Sequence, residues 1–378
     1  MRAIPEAGMH HQAAHQVDHR NDLVGSVGRS VVRIHLFEFI CGGGLAGRPV
    51  PAHLAREGDL MLAALIGDLL ELPGVQVSFA RDARLPAPVH ARLHGARACW
   101  RAPQAAPAEA LAREIAASDA TWPIAPETGG ELERAARAVL SAGRVLFGPD
   151  PEAISLAASK SATAQCLARA GIAVVPCFRP GSTWPRIEGA WVVKPDDGAG
   201  CLGMRVFRNR EAAATAAAAV GTTTAGGQCA EVVQGLIAQP WIEGDAMSLC
   251  VLASSGQVDV LSVNRQQLRL RDGAVELEAI DVNCEPVTAP LTALAQRVAD
   301  TIAGLHGYFG IDFVRTAAGP VVIEVNPRLT SSYAGLKPAL GLNVAQRVLA
   351  AATGASLPSW RAHRGFPVRL TLNGHASA

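Results

Sequence analysis

With 34 basic against 33 acidic residues in 378, the chain carries a formal net charge of +1 and lacks the broad positive field of a nucleic-acid or anionic-membrane binder. It is 49% hydrophobic and 18% charged with mean hydropathy +0.19, which describes an alanine-rich globular protein and excludes a disordered or fibrous one. The length exceeds a usual single domain, no apolar run approaches a membrane span, no apolar secretory segment opens the chain, and the eight cysteines form no CxxC pair. The expectation is two or three domains with free thiols, a cytoplasmic location and small-molecule partners, without nucleic acid or membrane.

Residues 1–30 are polar, carry His10, His11, His15 and His19, and read as a disordered extension; a histidine cluster can bind metal, but no acidic or cysteine ligand accompanies these histidines in a foldable context. Order begins at Val31. VVRIHLFEFI reads as a buried strand, CGGGLAG as a glycine-rich turn and HLAREGDLMLAALIGDLLEL as an amphipathic helix. VQVSFARD is a second strand, LAREIAASDATWPIAP a helix running into a strand, and ELERAARAVLSAG a helix closed by glycine. Strands alternating with helices predict a parallel, helix-covered α/β domain over residues 31–150, with the boundary at the Gly- and Pro-bearing connection near 148–151.

Beyond it, SKSATAQCLARAGI is helical, GAWVVKPDDGAGCLGMRVF reads strand, glycine loop, strand, and EAAATAAAAV is an alanine-rich helix. Successive strands follow at LIAQPWIEGDAMSLCVLASSG, VDVLSVNRQQLRLRDG and VELEAIDVN. LTALAQRVADTIAGL is a helix, YFGIDFVRTAAGPVVIEVNP a hairpin and NVAQRVLAAATG a last helix. The second half is therefore α+β with an antiparallel sheet.

In the hairpin, Asp312 lies between Ile311 and Phe313, while Glu324 and Asn326 alternate with Ile323 and Val325. A three-residue loop Ala317-Ala318-Gly319 would set Asp312 across from Glu324, with Cβ atoms about 4.5–5.5 Å apart. Facing like charges call for a divalent cation, and two carboxylates plus an amide oxygen suit magnesium; the competing reading is a solvated sheet face that needs no metal. Lys194 ends a strand before a loop bearing Gly198, Gly200 and Gly203, where backbone N–H groups can approach phosphate. The spacing is neither a P-loop nor a dinucleotide fingerprint, and an ordinary turn competes. Lys160 alone reads as a surface charge. Gln239, Pro240, Trp241 and Ile242 form a flat apolar slot suited to a purine, with Glu243 or Asp245 within reach of a ribose, or else a core strand entering a turn.

Taken in order, a strand lysine with a glycine loop, an apolar hinge and a final Asp...Glu-x-Asn-Pro-Arg hairpin resemble the ATP-grasp superfamily of carboxylate-amine ligases, over roughly residues 31–355. The resemblance implies an ATP-grasp fold behind a Rossmann-like pre-ATP-grasp domain at 31–150. An N-terminal subdomain with a glycine flap would span 151–238, and a C-terminal subdomain with the metal hairpin and tail 239–378. Within the superfamily, FEFICGGGL, WPIAPETGGELE, SKSATAQCLARAGI and EVNPRLTSSYAGL look like tyramine:L-glutamate ligases of methanofuran-type cofactor synthesis. By resemblance, Lys160 and Lys194 hold nucleotide phosphates and Asp197 to Gly203 form the flap. Gln239, Trp241, Ile242 and Glu243 line the nucleotide, Asp312, Glu324 and Asn326 bind Mg2+ (Mn2+ as the alternative ion), and Arg328 holds the reacting carboxylate. Pro240 departs from the acidic residue usual after glutamine. The implied partners are ATP, glutamate and an amine, with a homodimer as one assembly the family permits. Glu38, Gly42, Gly43, Gly44, Glu127 and Tyr333 are candidates for the acceptor or glutamate site, against a strand edge for Glu38, a helix cap for Glu127 and simple packing for Tyr333. Asn264 and Arg265 are candidates for phosphate contacts. The rivals are an ATP-grasp ligase of other substrates and a nucleotide-binding regulator without turnover.

Overall fold

The computed structural model describes residues 31–88, 95–198, 200–220, 235–352 and 365–372. The expected extension at 1–30, with its four histidines, and Ala199 within the flap lie outside the described residues.

The chain opens with β1 (Val32–Glu38), α1 (Ala52–Leu70), β2 (Val75–Asp82), β3 (Arg97–Arg101), α2 (Pro107–Ala116), β4 (Ala120–Ile124), α3 (Glu131–Ser141) and β5 (Val145–Leu146). The strands form a five-stranded parallel sheet in the order β3-β2-β1-β4-β5. Both faces are covered, which is why the strands read as nearly continuous apolar runs. Leu62, Leu65, Ile66 and Leu69 of α1 pack on Ile34, Leu36 and Phe79. On the other face, Leu111 and Ile115 of α2 and Leu132, Ala136 and Val139 of α3 meet Phe37 and Ala80. The strand order reverses between β1 and β4, so their carboxyl ends frame a crevice, the usual ligand position in such sheets. Glu38 ends β1, and Glu127 follows three residues after β4.

Next come α4 (Pro151–Ala158), α5 (Lys160–Arg169), β6 (Trp191–Pro195), β7 (Arg205–Phe207), α6 (Arg210–Val220) and β8 (Leu236–Pro240). After them follow β9 (Asp245–Ser254), β10 (Gln257–Arg271), β11 (Ala274–Glu285), α7 (Ala289–Thr301), β12 (Gly307–Thr316), β13 (Gly319–Asn326), α8 (Tyr333–Leu340), α9 (Val344–Ala352) and β14 (Val368–Thr371). The second sheet runs β13-β12-β9-β10-β11-β7-β6-β8, with β14 added to β11. β11 meets β7 through the single pair Ala274↔Arg205, so β6, β7 and β8 form a small antiparallel leaf with its own core. Stacked Trp184 and Trp191, 5.3 Å between ring centroids, fill that leaf against Ala213 and Ala217 of α6. β8 pairs with β6 as far as Pro240, so the subdomain break expected at 238/239 falls inside a strand.

One face of the larger leaf packs on α7 through Leu294, Ala295, Val298 and Ile302. The other shares a core with the parallel sheet, where Trp122 meets Tyr333 edge-on and Tyr333 meets Tyr308. This common core fixes the crevice of the first domain over the β12–β13 hairpin. No helix among the described residues is long and apolar enough to cross a membrane.

Candidate functional site

The β12–β13 register pairs Asp312 with Glu324, by a different route from the expected loop. Thr316 pairs with Gly319, so the turn holds two residues, Ala317 and Ala318. A bulge between Asp312 and Phe313 then shifts the ladder by one residue. Gly319, at φ +122°, accommodates the tight turn. The bulge restores the opposition of the two acids.

Two lysines converge on this pair. Ser159 caps α5, its Oγ accepting from the Ala162 N–H at 3.2 Å, and so Lys160 occupies the first helical turn. Asp196, just past β6, locks that turn to the strand carrying Lys194. It accepts from Ser161 N–H at 2.7 Å, Ser161 Oγ at 2.8 Å, Ser159 Oγ at 3.0 Å and Arg179 at 3.0 Å, and its own carbonyl accepts from Lys160 N–H at 3.0 Å. Lys160 Nζ stands 3.3 Å from Glu324 Oε2 and donates to the carbonyl of Gly198. Burial works against the Lys160 ammonium, but Glu324 and Glu127 outweigh it and raise its pKa. Lys194 is fully buried, and burial depresses its pKa against the pull of Glu324.

The two acids respond differently. Burial pushes Asp312 up to about 7, and the neighbouring Glu324 adds to the rise. Burial also works on Glu324, yet Lys160 and Lys194 more than offset it and keep the carboxyl below its ordinary range. Asn326 donates its amide N–H to Asp312 Oδ2 at 3.2 Å, which leaves its carbonyl oxygen for another partner. Two opposed carboxylates that cannot both ionise cheaply, beside a free amide oxygen, suit a hard divalent cation. Among the described residues no three His, Cys, Asp or Glu gather around one point, so the donor set is two acids and an amide.

Arg328 follows the hairpin. It is 13% exposed, and its Nε donates to Oε1 of Glu127, 6% exposed, at 3.0 Å across 201 residues of sequence; Nη1 donates to the Leu329 carbonyl at 3.3 Å. Burial opposes the guanidinium charge, and Glu127, then Glu57 and Glu324, raise its pKa. Glu57 of α1 accepts from Ser331 Oγ, so the first domain places two carboxylates, Glu57 and Glu127, around Arg328. The Glu127 side chain makes no helix-cap bond.

The flap lies close to this cluster. Its Cys201 thiol is pushed up to about 12 by burial and then by Glu324 and Asp312. Gly200 and Gly203 take φ of +61° and +71°, left-handed conformations that glycine adopts without strain. Asp197, at the root of the flap, accepts the Gly129 N–H at 3.0 Å, and its carbonyl accepts Thr128 Oγ1 at 3.0 Å.

Other candidates are committed elsewhere. Gln239 is buried and turns inward, its amide donating to the Val175 carbonyl at 3.2 Å and to Cys177 Sγ at 3.1 Å, so the side chain expected at a purine braces the core. Trp241 is 40% exposed, but its backbone N–H is spent on the Ala190 carbonyl at 2.8 Å; Ile242 and Glu243 continue past it toward the surface. Asp245, the ribose candidate, pairs with Arg315 at 2.5 Å, and Arg265, the phosphate candidate, pairs with Glu285 at 3.1 Å. Asn264 is fully buried, accepting the N–H of left-handed Asn283 at 3.0 Å. Tyr333 packs, and its hydroxyl donates to Asp68 at 2.7 Å. Gly42 and Gly44 are demanded by packing: a Cβ would sit 2.4 Å from the Glu38 carbonyl at the first and 2.4 Å from the Phe39 ring at the second. Gly43 takes φ +85° beside Arg101.

Glu38 is buried rather than at an open edge. Its Oε2 accepts the Cys41 N–H at 2.6 Å, and burial lifts its carboxyl from 4.5 to about 7. A carboxyl whose pKa rises on folding stabilises the native state below its unfolded pKa, and that contribution disappears as pH rises through the folded pKa. Between pH 4.5 and 7 the wild type is expected to lose up to about 3 kcal/mol through this group, at about 1.4 kcal/mol per pH unit. Urea melts of wild type and Glu38→Gln over this range check the sign: the difference between them should shrink as pH falls, and a constant difference refutes it.

Sequence reasoning missed Asp196, Glu57 and Ser331. Asp196 stands in the quoted WVVKPDDG, directly after the lysine strand, and an acid two residues beyond the candidate phosphate lysine was the available signal.

Comparison with known proteins places the cluster in context. Residues 157–332 match an ATP-grasp domain and residues 75–154 a pre-ATP-grasp domain. A 104-residue stretch is 31% identical to the tyramine–L-glutamate ligase of Methanocaldococcus jannaschii, covering 28% of this chain and 32% of that protein, so the match spans about a third of the relative's length. Among solved structures, an ATP-grasp superfamily protein from Archaeoglobus fulgidus shares 22% identity over 89% of this chain and 91% of its own, with a TM-score of 0.62. Biotin carboxylase from Campylobacter jejuni, solved as a β,γ-ATP complex, shares 18% over 88% and 73%, with a TM-score of 0.65. An L-amino acid ligase from Bacillus licheniformis shares 17% over 86% and 75%, with a TM-score of 0.58. These structural likenesses establish the fold.

Proposed function

We propose, from the premise that this chain belongs to the ATP-grasp family, that it is an ATP-dependent ligase joining a carboxylate to an amine, ADP-forming, with L-glutamate and tyramine or a tyrosine-like amine as substrates. The observation that carries the chemistry is the opposition of Asp312 and Glu324 on a hairpin that also brings Lys160, Lys194, Asn326 and Arg328 together. The glutamate and amine assignment, with its place in methanofuran-type cofactor synthesis, rests on the 104-residue match and on the segments quoted above.

A carboxylate oxygen attacks the γ-phosphorus of ATP, the bond to the β-phosphate oxygen breaks, and ADP leaves. The amine nitrogen then attacks the acyl carbon, phosphate departs with the former carboxylate oxygen, and nitrogen loses a proton to give the amide. Phosphoryl transfer asks the protein mainly for position and charge cancellation. Lys160 and Lys194 bind the phosphates, Arg328 orients the carboxylate, and the flap keeps water from the acyl phosphate. Asp312, Glu324 and the Asn326 carbonyl would hold Mg2+ or Mn2+, which when bound neutralises phosphate charge.

Incubation with ATP, Mg2+ and L-glutamate across a panel of amines, read by ADP release and product mass, tests this reading. Tyramine or tyrosine is expected to give a γ-glutamyl amide. Amide formation only with other amino acids would refute the substrate assignment, and ATP consumption with none of the panel would refute the ligase.

A further inference from the structure

We propose that residues 127–129 of the parallel-sheet domain are a positioning element for the ligase site, Glu127 setting the guanidinium of Arg328 while Thr128 and Gly129 hold the root of the flap. The inference deepens the proposed function and rests on it. Three consecutive residues make both contacts: Glu127 accepts Arg328 Nε at 3.0 Å, Thr128 donates to the Asp197 carbonyl at 3.0 Å, and the Gly129 N–H reaches Asp197 Oδ2 at 3.0 Å. Gly129 and Gly130 take φ of +63° and +73°, so the backbone turns sharply where it faces the flap. The segment leaves the carboxyl end of β4 at the point where strand order reverses, and a ligand in that crevice meets the element that fixes both the arginine and the flap.

Arg328 has competing partners, since Glu57 and Glu324 also act on its charge. Held through Nε by Glu127, the guanidinium has no hydrogen-bond partner at Nη2 among the described residues, and Nη2 then faces a substrate carboxylate. Without Glu127, it is drawn toward Glu324 and competes there with the cation. The pair lies between two domains with both side chains buried, so its value is in placing the fork more than in stability.

The test uses the full chain and the variants Glu127→Gln, Glu127→Asp and Thr128→Val. Glu127→Gln is expected to lower kcat/KM for the acid substrate about 10²-fold, the cost of a misplaced reacting group, and to raise the Mg2+ concentration needed to bind ADP in calorimetry; Glu127→Asp recovers part of both. Thr128→Val is expected to speed alkylation of Cys201, followed by mass spectrometry, about fivefold, since losing one hydrogen bond frees the flap by about 1 kcal/mol. Unchanged Cys201 alkylation in Thr128→Val overturns the flap half. A Glu127→Gln protein that only melts earlier, with acid kinetics and Mg2+ dependence intact, overturns the arginine half. The alkylation and calorimetry need no turnover, so they separate failure of this inference from failure of the ligase reading, which an inactive wild type would show.

Discussion

Replacing Glu324 by glutamine is expected to lower kcat for ligation by about 10³-fold while leaving the protein folded. The substitution keeps shape and removes one charge. Lys160 Nζ, 3.3 Å away, loses its anionic partner, and the proposed cation site drops from two carboxylates to one. The stability effects oppose each other: a buried ammonium without its acid is costly, whereas relief of the Asp312–Glu324 repulsion returns energy. Asp312 then titrates closer to its ordinary range, although burial still holds it up. Nucleotide binding should persist through Lys160 and Lys194 and become insensitive to Mg2+. Thermal melts, ADP-release kinetics and calorimetry with and without Mg2+ check the three parts. A Glu324→Gln protein with wild-type kcat would remove the role assigned to the hairpin.

That prediction was readable in the sequence because period-two alternation exposes an acid among valines wherever the strand lies. The opposition of Asp312 and Glu324 was anticipated, but through a three-residue loop; the chain makes a two-residue turn and a bulge, and one unpaired residue leaves no mark on the pattern. β3 escaped notice because RACWR is a short edge strand with arginine at each end and Trp100 exposed, so it shows neither alternation nor an apolar run. The inward turn of Gln239 was hidden as well, since β8 is buried on both faces and either direction fits the sequence. The Glu127–Arg328 pair joins residues 201 apart whose meeting depends on how two sheets pack, and no local rule carries that information. Asp196 is the intermediate case: its position beside Lys194 was visible, while its bonds to the Ser159–Ser161 turn needed the helix and strand to be brought together.

Arg328→Lys is expected to be nearly as damaging as Glu324→Gln, lowering kcat/KM for the acid substrate by about 10²- to 10³-fold with little change in the binding of ATP. The guanidinium satisfies Glu127 through Nε and the Leu329 carbonyl through Nη1, and in the proposed site it also offers Nη2 to the substrate, three directions set by one planar fork. An ammonium on a flexible stem is a single point charge. Buried in the same place, it would settle on one carboxylate, and Glu127, Glu57 and Glu324 all lie within its influence. If it settles on Glu127, the substrate carboxylate loses its clamp; if on Glu324, the cation loses a ligand as well. Steady-state kinetics with acid and ATP varied separately distinguish these cases, because the first raises KM for the acid alone and the second also raises the Mg2+ requirement. A lysine variant with unchanged KM for the acid would mean that Arg328 serves only to bind the two domains together, and the carboxylate would then have to be held by another cation of the cleft.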